Sequence, residues 1–407
     1  MNTWLGEVPW TGRTSCRPAS GSVADIGDLR LGLADNPVCL GTLAQRRARR
    51  GDDRLPQPPA GTGGGGKPDP RMARIRAGGF SALGGTSRCS ASRKAFDVSW
   101  RLAIGWCSMS TGQVHPSWHP IDDGLVRRLI AEQFPQWAGL PVERYPSGGT
   151  VNAMYRLGDG MVVRLPLVKG GAEDVAMEQE WLPLVAPHLP TAIPEVLGAG
   201  SPAEGYPWPW SVYRWLAGQN PETEALSEPV LLAKDLAEFV AAMRSITLPG
   251  APEAHRGGPL ASLDTSTRAA IEELREIPQE GVDCDAAAAV WEEALRVPGW
   301  DGPPVWLHAD LMPGNLLVDS GRLTSVIDFG CMGVGDPACD LFPAWNLLPA
   351  DAREVFREAL GVDDATWTRG RARTLSQALV ALPYYRKTNP AMAHNARHVI
   401  RVVLGKD

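Results

Sequence analysis

Across residues 305–341 the chain gathers oxygen-bearing side chains at intervals that suit phosphoryl transfer. His308, Ala309 and Asp310 lead to Asn315 with four residues between the aspartate and the asparagine; Asp328, Phe329 and Gly330 follow, then Gly335, Asp336, Pro337 and Asp340. Such chemistry asks little covalent work of a protein. It needs a carboxylate to orient the attacking hydroxyl and oxygen donors that hold a cation against the phosphates. One carboxylate and one amide carbonyl are a sensible protein share for Mg2+, which keeps other positions for phosphate and water. The spacing assigns Asp310 as the base and Asn315 and Asp328 as metal ligands. His308 reads as structural, its ring able to hydrogen-bond the loop or the backbone around Phe329. Asp336, before a proline, reads as a helix cap. Asp340 reads as an acceptor for backbone N–H groups of the loop that carries Asp310, on a helix that also contains Leu341 and Trp345.

The surrounding pattern supplies elements that could position these groups. Residues 305–307 form a short apolar strand that delivers Asp310 to its loop. Residues 316–318 and 323–327 flank the turn signal of Asp319, Ser320 and Gly321, and paired as a hairpin they bring Asn315 and Asp328 to one edge, facing Asp310. Upstream, Asp122 or Asp123 caps an amphipathic helix through Phe134. Antiparallel strands are expected at 142–146, 151–157 and 161–165, with Asp159 and Gly160 as the second hairpin turn. A helix over about 173–185 follows, then strands at 193–197 and 210–216, and the chain turns helical from Pro229. Sheet, helix, two more strands and a helical half is the order of a bilobed kinase. The expected fold is therefore α+β, a small antiparallel-sheet N-lobe and a mainly helical C-lobe with nucleotide held between them. In the N-lobe, Ser147, Gly148, Gly149 and Thr150 offer backbone N–H groups and the close approach that glycine permits, so they could cover phosphates. Arg164 is the cation of the third strand, placed to grip them. Glu178, or Glu180 as the alternative, could pair with it from the next helix.

At this point residues 110–404 resemble the aminoglycoside phosphotransferase family, a branch of the protein-kinase-like fold that also includes macrolide, choline and homoserine kinases. The resemblance rests on residues 307–315, 326–330 and 335–340 in combination, supported by 162–166 and 206–215. It implies transfer of the γ-phosphoryl of ATP (or GTP) to a hydroxyl of a small molecule, with Asp310 as base and Asn315 and Asp328 on Mg2+. It also makes residues 213–216, Tyr213 and Trp215 among them, the interlobe linker whose backbone would meet the nucleotide base. Many relatives carry Lys where Arg164 stands; an Arg here resembles choline-kinase-like members.

Composition divides the 407 residues into two materials. Residues 1–108 carry 16 Lys+Arg against 8 Asp+Glu, whereas residues 109–407 carry 24 against 38, a net charge of −14. The first segment has a basic run from Arg46 to Arg50, glycines at 63–66 and little hydrophobic periodicity, so it reads as a disordered leader or as noncoding sequence translated ahead of a start at Met109. An intact-mass measurement separates these two readings. Residues 61–67 imitate a phosphate loop, but Pro68 replaces the Ser/Thr that would reach a metal and no strand precedes them. The folded part divides into an N-lobe over 109–216 and a C-lobe over 217–407. Seven cysteines, an odd number without a C-x-x-C pair, form neither a metal cluster nor a disulfide framework. With no signal pattern and no apolar run of membrane length, a reduced, cytoplasmic protein is expected, with neither nucleic acid nor membrane as partner. Oligomeric state stays open.

The acceptor is least legible. A net of −14, with acidic groups at Glu272, Glu273, Glu276, Glu280, Asp283 and Asp285, suits a polycationic acceptor such as an aminoglycoside-like antibiotic. Charges on a helix also serve as a plain solvated face, and choline, homoserine or a macrolide are the alternatives. A different class is a catalytically silent nucleotide-binding regulatory protein on the same fold, which would not need Asp310, Asn315 and Asp328 together. Protein substrates fit poorly, because no Ala-Pro-Glu follows and the short passage from Asp328 to Asp340 leaves little room for an activation loop.

Overall fold

The computed structural model describes residues 119–146 and 151–406. The leader over 1–108, with its basic and glycine runs, and the turn of Ser147, Gly148, Gly149 and Thr150 lie outside the described residues.

The first helix, α1 (Asp123–Gln133), starts where the side chain of Asp122, and not Asp123, accepts the N–H of Leu125 at 2.7 Å. Leu125, Val126, Leu129 and Ile130 are buried along it. They cover a sheet of five strands, β1 (Val142–Tyr145), β2 (Asn152–Leu157), β3 (Met161–Pro166), β4 (Val196–Gly200) and β5 (Trp210–Arg214), in the order β1-β2-β3-β5-β4 with every neighbour antiparallel. Helix α2 (Lys169–Val185) connects β3 to β4. Side chains of a strand alternate between faces, and β3 uses both. Val163 and Leu165 pack with Tyr155, Trp210 and α1, whereas Val162 joins Tyr213, Trp181 and Leu182 in a second core that continues through the other lobe. Arg164 shares the Val162 face.

The expectation for β4 was three residues early. Its register shifts between Val196 and Gly198, and Gly200 lies so close over the indole of Trp210 that a Cβ there would stand 2.1 Å from the ring. Glycine reads as a strand breaker, but here it makes room for Trp210. Strand β5 likewise ends at Arg214 rather than residue 216.

The second lobe is built from α3 (Pro229–Ser245), α4 (Asp264–Arg275), α5 (Cys284–Arg296), α6 (Pro343–Asn346), α7 (Ala350–Leu360), α8 (Asp364–Tyr385) and α9 (Pro390–Val403). Two small antiparallel pairs support the loops of interest: β6 (Val305–Leu307) with β9 (Gly333–Gly335), and the hairpin β7 (Leu316–Asp319) with β8 (Arg322–Val326), in which Leu316 faces Val326. The helix expected around Asp340 and Trp345 is two pieces, a 3-10 turn Pro337–Leu341 and then α6. Pro343 has no N–H to continue the first piece. Among the described residues, no helix is long and apolar enough to cross a membrane.

Candidate active site

Asp310 leaves β6 through an unusual backbone. Ala309 sits in the left-handed region at φ 64°, which costs a non-glycine residue on the order of 1–2 kcal/mol. The buried carboxylate of Asp340 offsets that strain by accepting the N–H of His308 at 2.8 Å and of Ala309 at 2.7 Å. Burial pushes the Asp340 carboxyl above its ordinary range, against the pull of His308 and these two N–H groups. The His308 ring ties the loop to the end of β8. Its Nδ1 accepts the N–H of Asp310 at 3.2 Å, so Nε2, 3.1 Å from the carbonyl of Ile327, is the donor. The same ring packs edge-on against Phe329, centroids 4.5 Å apart.

The β7–β8 hairpin joins the Asn315 and Asp328 ends of the two strands, and Asn315 meets Asp310. The Asn315 amide Nδ2 donates to the Asp310 carbonyl at 2.8 Å and to its carboxylate Oδ2 at 3.1 Å, while the Asn315 backbone carbonyl accepts Ile327 N–H at 2.9 Å. With Nδ2 committed to Asp310, the amide oxygen is the part of Asn315 left for a ligand. Asp328, also left-handed at φ 65°, is bound through Oδ1 by Arg164 Nη2 at 2.8 Å. Its second carboxylate oxygen and the Asn315 amide oxygen are both hard donors, of the kind that Mg2+ takes in preference to a softer metal.

Arg164 is 6% exposed and binds two carboxylates at once. Its Nη1 donates to both oxygens of Glu178, at 2.8 and 2.9 Å, as Nη2 holds Asp328. A planar fork can bridge in this way, where a lysine offers a point charge. Burial works against the guanidinium's charge, but Glu178 and Asp328 outweigh it and hold its pKa above the ordinary value. Glu178, fully buried, also accepts Tyr213 Oη and the N–H of Phe329 at 2.9 Å. Tyr213 thus enters the network by its side chain. Trp215 does not: its ring lies under the Arg156 guanidinium at 3.9 Å and its backbone N–H reaches Gly160 O at 2.8 Å, while Glu180 is exposed on the other side of α2.

Three groups near the site were not singled out from the sequence. Asp174, one turn before Glu178 on α2, has a buried Oδ2 without a hydrogen-bond partner among the described residues. Burial, opposed by Arg164, pushes its carboxyl up to about 8. The i, i+4 spacing of Asp174 and Glu178 was the available signal. Arg256 lies 54 residues before Asp310 and pairs with it, Nη1 to Oδ1, also reaching the Ala309 carbonyl at 3.4 Å. No motif announced it. The loop that carries it is sewn to β9 by Val334 N–H to Pro252 O at 2.8 Å, Ala254 N–H to Val334 O at 3.0 Å and Asp336 N–H to Gly257 O at 2.9 Å. Gly335 and Gly257 touch backbone to backbone, and a Cβ on Gly335 would stand 2.5 Å from Gly257 O. Arg373, the third, reaches the Arg256 carbonyl at 3.0 Å from α8.

Asp336 caps the turn Pro337–Leu341, accepting Ala338 N–H at 2.9 Å, and also takes Arg369 at 3.0 Å and Arg373 at 3.3 Å. Burial opposes its charge, but Arg369, Arg373 and the cap outweigh burial and hold the carboxyl below its ordinary range. A cavity on this side of Asp310 is lined by Arg256, Met312, Phe342, Arg373, Tyr385 and Val399, among others. The acidic cluster read from the sequence is elsewhere. Glu272 and Asp285 pair with Arg275, Glu280 with Arg397 and Asp283 with Lys406, and none of these carboxylates lines the cavity.

Comparison with known proteins places the arrangement. The sequence profile of a phosphotransferase enzyme family matches residues 143–375. No curated protein matches the chain in sequence. Among solved structures, the complex of APH(2")-IIia with GDP and kanamycin is 19% identical and aligns over 69% of this chain and 99% of that one, with a TM-score of 0.57. The GDP complex of wild-type aminoglycoside 2'-phosphotransferase-IIIa is 18% identical over 70% of this chain and 99% of that one, TM-score 0.54. The macrolide 2'-phosphotransferase MphH from Brachybacterium faecium, as apoenzyme, is 22% identical over 69% and 98%, TM-score 0.48. The first two likenesses are of fold, and they match the five-stranded lobe and helical lobe seen here: the fold is α+β, bilobed and protein-kinase-like. The profile spans more than half of the chain and contains Arg164, Glu178, Asp310, Asn315 and Asp328, and the chain belongs to that phosphotransferase enzyme family.

Proposed function

We propose that the protein transfers the γ-phosphoryl group of ATP to a hydroxyl of a small molecule, with Asp310 as the base. The observation that carries this reading is the convergence of Asp310, Asn315, Asp328 and Arg164 at one edge, each held by a neighbour of the set. Asp310 accepts the hydroxyl proton while the hydroxyl oxygen bonds to the γ-phosphorus and the bond to the β–γ bridging oxygen breaks, releasing ADP. Arg164, kept in place by Glu178, would turn its fork to the α/β-phosphates. Asn315 and Asp328 would hold Mg2+, which when bound neutralises charge on the phosphates. Asp340 and His308 keep the loop rigid, so the base need not reorganise as charge develops. Tyr213 buttresses Glu178. Ser147, Gly148, Gly149 and Thr150 complete the reading as a cover over the phosphates, and the backbone near Trp215 as the seat of the base. Two structural relatives carry GDP, so GTP belongs beside ATP in any assay.

Asp310→Asn tests the assignment with nearly unchanged shape. Removing a general base costs roughly 10²–10⁴-fold in turnover, so labelled-phosphate transfer should fall by that factor while nucleotide affinity stays within a few-fold. Turnover retained in Asp310→Asn would remove Asp310 from its role. Nucleotide binding by the wild type with no transfer to any acceptor would favour a silent regulatory protein instead.

A further inference from the structure

The cavity beside Asp310 does not suit a polycation. Asp310 is the one carboxylate among the described residues that line it, and Arg256 already pairs with that group. Met312, Phe342, Val380 and Val399 give the wall an apolar character. Behind it, Asp336 is shared by Arg369 and Arg373, and Arg244 donates to the Pro337 carbonyl at 2.8 Å, on the turn that carries Asp340. Four arginines therefore stand against three aspartates, Asp310, Asp336 and Asp340, and one positive charge is left over. Neighbouring thiols do not cancel it, since burial, opposed by Arg373, pushes Cys339 up to about 12. His255 adds no second cation, because burial and Arg256, opposed by Asp310, hold its imidazole below the ordinary range. An ammonium entering this cavity would lose water without gaining a free carboxylate. A carboxylate would meet Arg256, whose hydrogen bonds among the described residues run from Nη1 and whose geometry suits a fork-to-fork pair.

We propose that the acceptor is a hydroxylated organic anion with an apolar body, its anionic group recognised by Arg256 as its hydroxyl meets Asp310; this rests on the phosphotransferase reading above. The acceptor's anion draws Arg256 from Asp310 Oδ1, so the molecule that supplies the hydroxyl also frees the base to receive its proton. A second anion, the phosphate in transfer, could take the same guanidinium, and the test separates the two.

The full chain is assayed for transfer from γ-labelled ATP to 3-hydroxydecanoate, whose hydroxyl and carboxylate are as close together as Asp310 and Arg256, to its methyl ester and to the matching 1,3-amino alcohol, and binding of each is measured by calorimetry. Hydrogen bonds to a charged group set the expected scale: the acid should exceed the ester in kcat/KM by on the order of ten-fold or more, with the amino alcohol poorest. Arg256→Gln should erase the acid-over-ester preference, and Arg256→Lys should keep part of it. Should Arg256→Gln fail to fold, the wild-type acid-to-ester ratio and Arg256→Lys carry the test. Equal handling of acid and ester, or preference for the amino alcohol or kanamycin, overturns the inference and leaves the phosphotransferase reading standing. Equal losses in Arg256→Gln for acid and ester assign Arg256 to the transferred phosphate, and overturn it too. Arg256-dependent binding of the acid with no transfer to it or to any other acceptor keeps the anion site but overturns the acceptor role together with the phosphotransferase reading; an acid that neither binds nor reacts, while another acceptor does, sinks the inference alone.

Discussion

Asp174 and Glu178 face the same guanidinium from adjacent turns of α2, yet Glu178 accepts four hydrogen bonds while Asp174 leaves Oδ2 without one. That contrast sets a pH dependence. The Asp174 carboxyl, 3.8 when unperturbed, is pushed up to about 8 in the fold by burial, with Arg164 opposing. The native protein then binds a proton that the unfolded chain releases, so this group's stabilisation is present below pH 3.8 and lost as pH rises through about 8. Asp174→Asn removes the dependence. Its Tm, measured without nucleotide or metal, should gain on the wild type between those limits and hold its lead above them; parallel curves would refute the assignment. At this scale the motif residues were legible because Asp310, Asn315 and Asp328 come from one short stretch, where spacing carries geometry. Asp174 and Arg256 were not. Their roles arise from packing α2 and the loop over 252–258 against that stretch, and no local pattern encodes such a contact.

Elements were legible where hydrophobic period and turn chemistry agreed, as in the β7–β8 hairpin and α1. They were misread where glycine served packing: Gly198 and Gly200 within β4 make room for aromatic rings, and the strand is displaced toward them. Helix α8 holds another such glycine. A Cβ at Gly370 would stand 2.8 and 2.9 Å from Leu341 and 3.2 Å from the Ala338 carbonyl. Helix propensity alone favours alanine there by about 1 kcal/mol, whereas overpacking costs about 1–3 kcal/mol. The second effect should win, because the atoms met belong to the turn Pro337–Leu341, which carries Asp340 and through it the strained Ala309. Gly370→Ala should lower Tm and slow transfer, and Gly139→Ala, with nothing within 4 Å of its Cβ, should do neither. A melting temperature at or above wild type for Gly370→Ala would show that Leu341 yields freely.

Across the molecule, the two lobes are joined by side chains as well as by the linker. Trp181 of α2 meets Trp306 of β6 with centroids 5.2 Å apart, and Val162 and Tyr213 of the sheet share one core with Phe239 and Phe329. Arg164 adds a partly buried ion pair from β3 to Asp328. The order of elements made two lobes legible, but not this shared core, since amphipathic pattern says which face is apolar and not what covers it. Lobes that share a core should melt together, in one transition and not one for each lobe. A ligand bound at the edge they share stabilises both: at a hundred times Kd, nucleotide with Mg2+ contributes about 2.7 kcal/mol. Scanning calorimetry should therefore show the transition moving upward with nucleotide and Mg2+, and moving part of the way back with a chelator. Asp328→Asn should lose the metal-dependent part of that rise and keep the nucleotide part, because Arg164 and Glu178 remain. If the metal increment survives in Asp328→Asn, the cation is held elsewhere; if the lobes melt separately, α2 does not couple them.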